Sequence, residues 1–241
     1  MATVMDEYLV EPRTEWVRRI RDEIILPRRA QAAQRPLTQA IRHGTANRQQ
    51  ILAGLLIPTL WRITRFPELI AALASRCPTF DWERKTSLLQ NAYEETEHPF
   101  LLARAVRALG GDPDPVLRGD PEAYRPSTEM QARRDWITYH AYHRPWIEGI
   151  AAVQVAIEAI VPYALKPVWH GLREHYGLSD HDLAWFQVHA GEIEMRHGNE
   201  GILILEQYVA DDDVALQQRL RYIVDYATSG TTAPGPVAAT S

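Results

Sequence analysis

Helical periodicity runs along almost the whole chain, and the strict alternation of apolar and polar residues that is typical of strands is nearly absent. Capping and breaker residues divide the pattern into segments. We therefore expect helices at about 14–25, 37–43, 47–60 and beyond, 81–109, 128–176, 179–210 and 211–229. Such a series predicts an all-α fold, a single-domain helical bundle.

No internal repeat or interdomain linker interrupts this pattern, so one helical domain is expected over 1–228. The proline-rich segment "GDPDPVLRGDPEAYRPS" is expected to be a loop between helices. Residues 229–241 are expected to form a disordered tail, because "GTTAPGPVAATS" offers nothing to bury in a core.

Composition and charge exclude several classes of protein. The 241 residues are 46% hydrophobic and 24% charged, the profile of a soluble globular protein, and the net charge of -5 provides no electrostatic footprint for nucleic acid. Cys77 is the only cysteine, which excludes a disulfide framework and a thiolate metal site. The apolar runs are shorter than the roughly 20 residues that span a bilayer. We expect a cytoplasmic protein with neither nucleic-acid nor membrane partners.

Glu158 lies inside the apolar stretch "GIAAVQVAIEAIVPYAL". A helix that is apolar nearly all round is a buried one, and an ionised carboxylate there costs several kcal/mol unless it is paired, protonated or bound to a cation. Two interpretations stay open, a buried ion pair with an arginine and a metal ligand.

Two Glu-x-x-His pairs occur on other predicted helices, in "NAYEETEHPFLLARAVRALGG" and "WFQVHAGEIEMRHGNEG". Glu95 and His98 share a helix face at this spacing, and so do Glu194 and His197. Together with an inward Glu158, the two pairs match the ligand chemistry of di-iron carboxylate sites in helical bundles. The other acids of the first cluster, among them Glu94 and Glu97, are interpreted as solvated surface.

His189 and Glu192 form a further pair with the same spacing, but a regular helix does not turn them toward Glu194 and His197. A one-residue π-bulge between His189 and Glu194 would bring His189, Glu194 and His197 onto one face. Without the bulge, His189 and Glu192 are a surface pair. Another His pair, His140 and His143, is interpreted as packed or capping.

These residues resemble the heme-oxygenase-like superfamily, especially its non-heme di-iron oxidases and the pyrroloquinoline-quinone biosynthesis protein C branch. The resemblance covers roughly 37–209 and includes "HGTANRQQILAGLL" as well as both Glu-x-x-His segments. Glu158 falls where the oxidases place a bridging Glu. The last segment is similar to a His-x3-Asp-x2-His motif, in which Glu194 replaces the Asp and His189 lies one residue too far upstream.

The resemblance implies a bundle of about seven helices, two Fe(2+) ions per chain, dioxygen as co-substrate and a homodimer. It implies an iron-dependent oxidoreductase that acts on a small metabolite, amino-acid or amine derived, by N-oxygenation, desaturation or oxidative C–C cleavage in biosynthesis. The expected metal ligands are Glu95, His98, Glu158, His189, Glu194 and His197, of which Glu95, Glu158 and His197 are the expected catalytic residues.

Several alternatives remain open at this point. If the bulge is absent, the second metal position lacks a ligand, and a mononuclear site or a labile second iron is expected. One rival function is a cofactorless oxidase of the quinone-biosynthesis type, and another is a fatty-acid oxidative decarboxylase. A non-enzymatic helical binding protein, with Glu158 in a salt bridge, is the third.

Overall fold

The computed structural model describes residues 10–190 and 192–229, without the side chains of 162, 164 and 192–195. Every regular element in these described residues is helical, so the all-α class is confirmed. None of the helices in the described part is both long and apolar enough to cross a bilayer. Residues 230–241, where the disordered tail is expected, lie outside the described residues.

The α-helices are α1 (Glu15–Ile20), α2 (Leu26–Ala33), α3 (Pro36–Arg42), α4 (Arg48–Ile51), α5 (Ile57–Ile63), α6 (Phe66–Arg76), α7 (Trp82–Glu94), α8 (His98–Ala108), α9 (Asp114–Leu117), α10 (Thr128–His143), α11 (Trp146–Ile150), α12 (Val161–His175), α13 (Ala184–His189), α14 (Glu192–Tyr208) and α15 (Val214–Ser229). Three π-helical segments continue α1, α4 and α11, namely π1 (Arg21–Ile25), π2 (Leu52–Leu56) and π3 (Ala151–Glu158).

The helices are shorter and more numerous than the expected seven, because prolines begin new helices along the way. Pro67 and Pro99 occupy the first turns of α6 and α8, where a missing N–H leaves no hydrogen bond unmade. The helix expected over 179–210 is likewise divided. Ser179 and Asp182 exchange the hydrogen bonds of the predicted capping box, but α13 ends at His189 and α14 begins anew.

Two apolar clusters form the core. The first contains buried residues of π3, α6, α7, α14 and α15, and the second contains buried residues of α3, α5, α8, α12 and α13. The chain passes from the first cluster to the second between α7 and α8, and back again between α13 and α14. Three polar side chains at those two crossings, those of Glu95, His98 and His189, are buried between the cores.

Two glycines let α14 approach π3 closely. A Cβ on Gly198 would lie 2.8 Å from Ala159 Cα, and a Cβ on Gly201 would lie 2.8 Å from Gln154 Cβ. Both distances are shorter than normal carbon contacts, so a larger residue at either position would push the helices apart. The contact explains why His197, next to Gly198, lies beside Glu158 at the end of π3.

Candidate metal centre

Three of the predicted ligands come together in the interior. Glu95, His98 and His189 are buried, and each offers one ligand atom such that these atoms all lie within 4.8 Å of one another. The Nδ1 of His98 lies 2.8 Å from Oε2 of Glu95, and the rings of His98 and His189 are 4.4 Å apart. We call Glu95, His98 and His189 the first ligand group.

The pair Glu95–His98 lies at a break between helices. Helix α7 ends at Glu94, and His98 is the first residue of α8, with Pro99 in its first turn. Glu95 and Glu97 keep right-handed helical backbone angles across the break. The two side chains therefore stay on one side of the chain, as the helical spacing predicts.

His189 is held by the helix that carries it. Its Nδ1 lies 2.8 Å from the carbonyl oxygen of Trp185, and its ring packs 4.2 Å from the Trp185 ring. A carbonyl only accepts, so Nδ1 donates and the lone pair of Nε2 is left to bind a cation. Burial and the nearby His98 lower the pKa of His189 to about 3, so its imidazole is neutral at pH 7.

The second ligand group consists of Glu158, His197 and Glu94. The Nδ1 of His197 lies 4.0 Å from Oε2 of Glu158, and its Nε2 lies 3.3 Å from Oε2 of Glu94. Asn91 donates to both oxygens of Glu158 at 3.0 and 3.3 Å, and Gln154 donates to Oε1 at 3.3 Å. Burial lowers the pKa of His197 to about 4, which also keeps this ring neutral at pH 7.

Glu158 has no arginine or lysine to neutralise it among the described residues. Its 0% exposure and the neighbouring Glu95 raise the pKa of Glu158 well above its usual value. Glu148 is equally buried, yet Arg144 and Arg219 contact its carboxylate at 3.0 and 3.2 Å. The protein therefore neutralises one buried glutamate with its own arginines and leaves the other for a different partner.

Two polar atoms of the first ligand group lack a hydrogen-bond partner. Oε1 of Glu95 and Nδ1 of His98 are buried and make no hydrogen bond, although Nδ1 lies at ion-pair distance from the other oxygen of Glu95. Buried polar groups without partners are rare and costly. A cation between these atoms would satisfy both, so the residues present fit a bound metal.

Comparison with known proteins identifies the family. The profile of a family described as "Iron-containing redox enzyme" matches residues 63–225, more than half of the chain. The chain belongs to this family. The matched segment contains both ligand groups, and their carboxylate and imidazole donors without thiolate suit the iron of the family's name.

Two curated relatives are proteins named 4-aminobenzoate synthase, one from Chlamydia trachomatis serovar D and one from Chlamydia muridarum. Each is 30% identical to the chain over 155 residues, which are 62% of this chain. The chain matches 63% of the length of the first relative and 62% of the length of the second. Somewhat more than a third of each relative therefore has no counterpart in the alignment.

Solved structures with the same fold support the heme-oxygenase-like architecture. A TenA homolog from Pseudomonas syringae pv. tomato matches with a TM-score of 0.78 at 17% identity, covering 93% of this chain and 96% of that one. A domain of unknown function with a heme oxygenase-like fold, from Shewanella denitrificans, matches with a TM-score of 0.65 at 14% identity and covers 88% and 90%. At these identities the likeness shows the fold.

The structure differs from the prediction at the junction of α13 and α14. Helix α13 ends at His189 with Ala190 as its C-cap, where the prediction had a helix that continues through a π-bulge, and residue 191 lies outside the described residues. The ring of His189 lies beside that of His98. The backbone of Glu192 and Glu194 belongs to α14, but their side chains lie outside the described residues.

Sequence reasoning missed Glu94 and Asn91. The interpretation of Glu94 as solvated surface is wrong, because its side chain is only 29% exposed and contacts His197. Glu94 is the last residue of α7, and Glu95, the C-cap of that helix, is buried. Asn91 carried a signal that could have been used: Asn91, Glu95 and His98 follow the i, i+4, i+7 spacing of one helix face.

Other histidines behave as expected. His140 is buried, and its Nδ1 lies 2.9 Å from the carbonyl oxygen of Trp136. Its Nε2 lies 4.0 Å from Oε2 of Glu148. His143 is exposed at the end of α10. His140 and His143 are therefore packed and helix-terminal residues, respectively, as predicted.

Replacement of Glu94 by glutamine is expected to weaken the binding of iron to the second ligand group by about 10- to 100-fold, because a charged neighbour of His197 is lost. Anaerobic titration with ferrous iron measures the effect. The matched control is Glu97→Gln, at an exposed position of the same cluster, which should titrate like the unaltered protein. Equal affinities in both variants would exclude a role for Glu94 at the metal centre.

Proposed function

We propose that the protein is a ferrous-iron-dependent oxidase or oxygenase that uses dioxygen on a small metabolite in biosynthesis. The observation that carries the proposal is the burial of Glu158 without a basic partner in the described chain, beside neutral histidines, in a member of an iron-containing redox family. Neutral imidazoles and carboxylates without thiolate are the donors that non-heme iron takes in helical bundles.

The proposed ligands divide between two iron positions. Glu95, His98 and His189 would hold one ion, and Glu158 and His197 the other, with Glu94 beside His197. Glu194 remains a proposed ligand on the strength of its spacing from His197. Bound ferrous iron would supply the electrons for the reduction of dioxygen.

The chain's own residues prepare this centre in three ways. Asn91 and Gln154 hold both oxygens of Glu158 in position, and the Trp185 carbonyl fixes the tautomer of His189. The raised pKa of Glu158 means that its carboxyl group holds a proton more readily than an exposed one, so metal binding releases that proton. The two apolar clusters keep bulk water away from the reacting atoms.

The names of the curated relatives support a small-molecule product. Both are called 4-aminobenzoate synthase, so an aromatic amine or a related amino-acid derivative is the class of compound we propose for this chain. A cleft of about 580 Å³ beside Trp82, Gln90 and Arg196 reaches His197, and a small molecule or dioxygen could enter there.

Anaerobic titration of metal-free protein with ferrous iron, followed by a pulse of dioxygen, tests the proposal. We expect binding of about two irons per chain and a transient visible absorption band on exposure to dioxygen. Binding of one iron would point to a mononuclear enzyme and overturn the two-position assignment. Absence of binding, with oxygen consumption that survives chelation, would favour a cofactorless oxidase instead.

A further inference from the structure

An apolar stripe runs along the exposed face of α7 and into the first turn of α8. Of the nine large apolar side chains that are exposed among the described residues, five lie within 80–100. We give the name outer stripe to six exposed residues of this segment, Trp82, Thr86, Leu89, Tyr93, Thr96 and Phe100. Its four large side chains are between 52% and 71% exposed. A contiguous apolar surface of this kind marks an interaction site.

The spacing within the outer stripe is that of a seam between two helices. Its members follow one another at alternating intervals of four and three residues, the heptad spacing that keeps one helix face turned toward a partner helix. The chain keeps a helical course after α7, since Glu95 and Glu97 have right-handed helical angles and the N–H of Leu101 donates to the carbonyl oxygen of Glu97 at 3.1 Å. Phe100 therefore continues the stripe.

The protein's own helices occupy the other sides of α7. Leu88 is buried in the first apolar cluster together with residues of α6. On the side of α14, Asp81 accepts a hydrogen bond from the hydroxyl of Tyr208 at 2.6 Å, and Arg84 lies 3.5 Å from Glu200. Within the part of the chain that the structure describes, the outer stripe keeps its exposed side chains uncovered.

The outer stripe has nearly the same order of residues in both directions. Read from either end, it runs aromatic, threonine, large apolar, large apolar, threonine and aromatic. If two copies lie antiparallel about a two-fold axis level with Asn91, each member faces a residue of the same class. The pairs across the axis are then Trp82 with Phe100, Thr86 with Thr96, and Leu89 with Tyr93. Such self-complementarity is what a symmetric dimer requires, because both subunits use the same patch.

We propose that a second copy of this chain docks on the outer stripe, with the two α7 helices antiparallel in a homodimer. The self-complementary order favours this occupant over a different protein. The three aromatic side chains are about two thirds exposed and together offer roughly 300–500 Å², about half of the ~800 Å² that each partner buries in a stable complex. The rest of the area falls to Leu89, the threonines and the flanking residues.

The second copy would also adjoin the cleft that leads to His197. Trp82 and Thr86 belong to the outer stripe and line this cleft of about 580 Å³ as well. A subunit on the stripe therefore stands at the mouth of the cleft and forms part of its wall. Glu95 and His98 are buried on the other side of the same stretch of chain, so docking would also restrain the helix junction that carries them.

Sedimentation equilibrium of the full, metal-free chain at micromolar concentration tests the proposal. We expect a particle of at least twice the monomer mass. Leu89→Glu and Tyr93→Glu each place a charge on the stripe and should halve that mass, with a dimer Kd raised by about 100-fold or more. The matched control is Tyr222→Glu on α15, at a side chain that is 62% exposed, which should keep the mass of the unaltered protein. Circular dichroism should show the same helix content in all of them, because the substituted residues are exposed.

Cross-linking with a short bismaleimide tests the antiparallel register. Gln90 is exposed and lies next to the level of the proposed axis, so the two cysteines of Gln90→Cys should be about 3 Å apart along the helices and should cross-link. In Glu83→Cys, an exposed position on the same helix, the two cysteines should be about 24 Å apart along the helices and should stay separate. The native Cys77 is buried and does not compete for the reagent.

Several results would overturn the proposal. A particle of monomer mass would reject the second copy, and a lower melting temperature of Leu89→Glu and Tyr93→Glu in such a monomer would place a segment of the same chain on the stripe. A dimer mass unchanged in both variants would put the interface elsewhere. Equal cross-linking of Glu83→Cys and Gln90→Cys would reject the antiparallel register. None of these measurements needs iron, so the proposal does not rest on the proposed function.

Discussion

Glu158→Gln is expected to abolish the binding of iron at the second ligand group and to lower dioxygen-dependent activity by at least about 100-fold. Glutamine has the size of glutamate and keeps a carbonyl oxygen for the amide of Asn91, but it carries no negative charge for a metal ion. The same variant is expected to be more stable than the unaltered protein when both are free of metal. The reason is the raised pKa of Glu158, since above the ordinary pKa of a glutamate the folded chain must either take up a proton or bury a charge without a basic partner among the described residues, and either one lowers stability.

The matched control is Glu148→Gln, since Glu148 is as deeply buried as Glu158. Its carboxylate is neutralised by Arg144 and Arg219, whose side chains are 38% and 53% exposed. Loss of these ion pairs should lower the free energy of unfolding by about 1–3 kcal/mol, at the lower end for buried pairs because both arginines reach solvent. Iron binding should not change.

Denaturant unfolding of the metal-free proteins, together with anaerobic iron titration, measures both effects. Glu158→Gln is expected to lose iron and to gain stability, whereas Glu148→Gln is expected to lose stability and to keep its iron. Full iron binding in Glu158→Gln would remove Glu158 from the metal centre. A large loss of stability in that variant would identify Glu158 as a structural group.

His189→Gln is expected to eliminate one iron of about two per chain, because the first ligand group then keeps only Glu95 and His98. Activity should fall by about 100-fold or more, because loss of a metal ligand costs more than loss of a residue that only orients a ligand. The iron that remains should bind at Glu158 and His197 with little change in affinity, so the titration should end at a lower stoichiometry.

His140→Gln is a close control for this variant. His140 and His189 are both buried, both bind the carbonyl oxygen of the tryptophan four residues earlier, and both pack against that tryptophan ring. They differ in their other neighbours, since His140 faces the ion pairs of Glu148, whereas His189 faces His98. His140→Gln should lose stability and keep its iron. Two irons bound in His189→Gln would show that the centre does not need this residue.

Local chemistry in the sequence was sufficient for the fold class and for selecting most of the residues that the structure brings together in the two ligand groups. The helical period of the apolar residues predicts an all-α chain, because a helix and a strand expose their side chains with different periods. Glu158 could be selected from its neighbours alone, since the cost of burying a carboxylate among valines and isoleucines does not depend on the details of the fold. The Glu-x-x-His spacing of Glu95 and His98 was informative for a similar reason.

The junctions between helices were harder to predict. Glu94 was interpreted as surface, and a π-bulge was expected after His189, because both inferences assumed helices that continue without interruption. In the structure α7 stops at Glu94 and α13 stops at His189. Whether a helix ends or bulges depends on packing energies that a local pattern does not contain.

The sequence by itself determined which kinds of side chain the two ligand groups contain, carboxylates and imidazoles without thiolate, and that one of the carboxylates lies in an apolar helix. Only the tertiary structure decided which of them meet. Glu148 and Glu158 are both buried glutamates, ten residues apart, and the sequence does not distinguish them by pairing. Arg219 reaches Glu148 from α15, while Gly198 and Gly201 bring His197 to Glu158. Such contacts join residues far apart in the chain, so they are decided by how closely the helices pack and where they end.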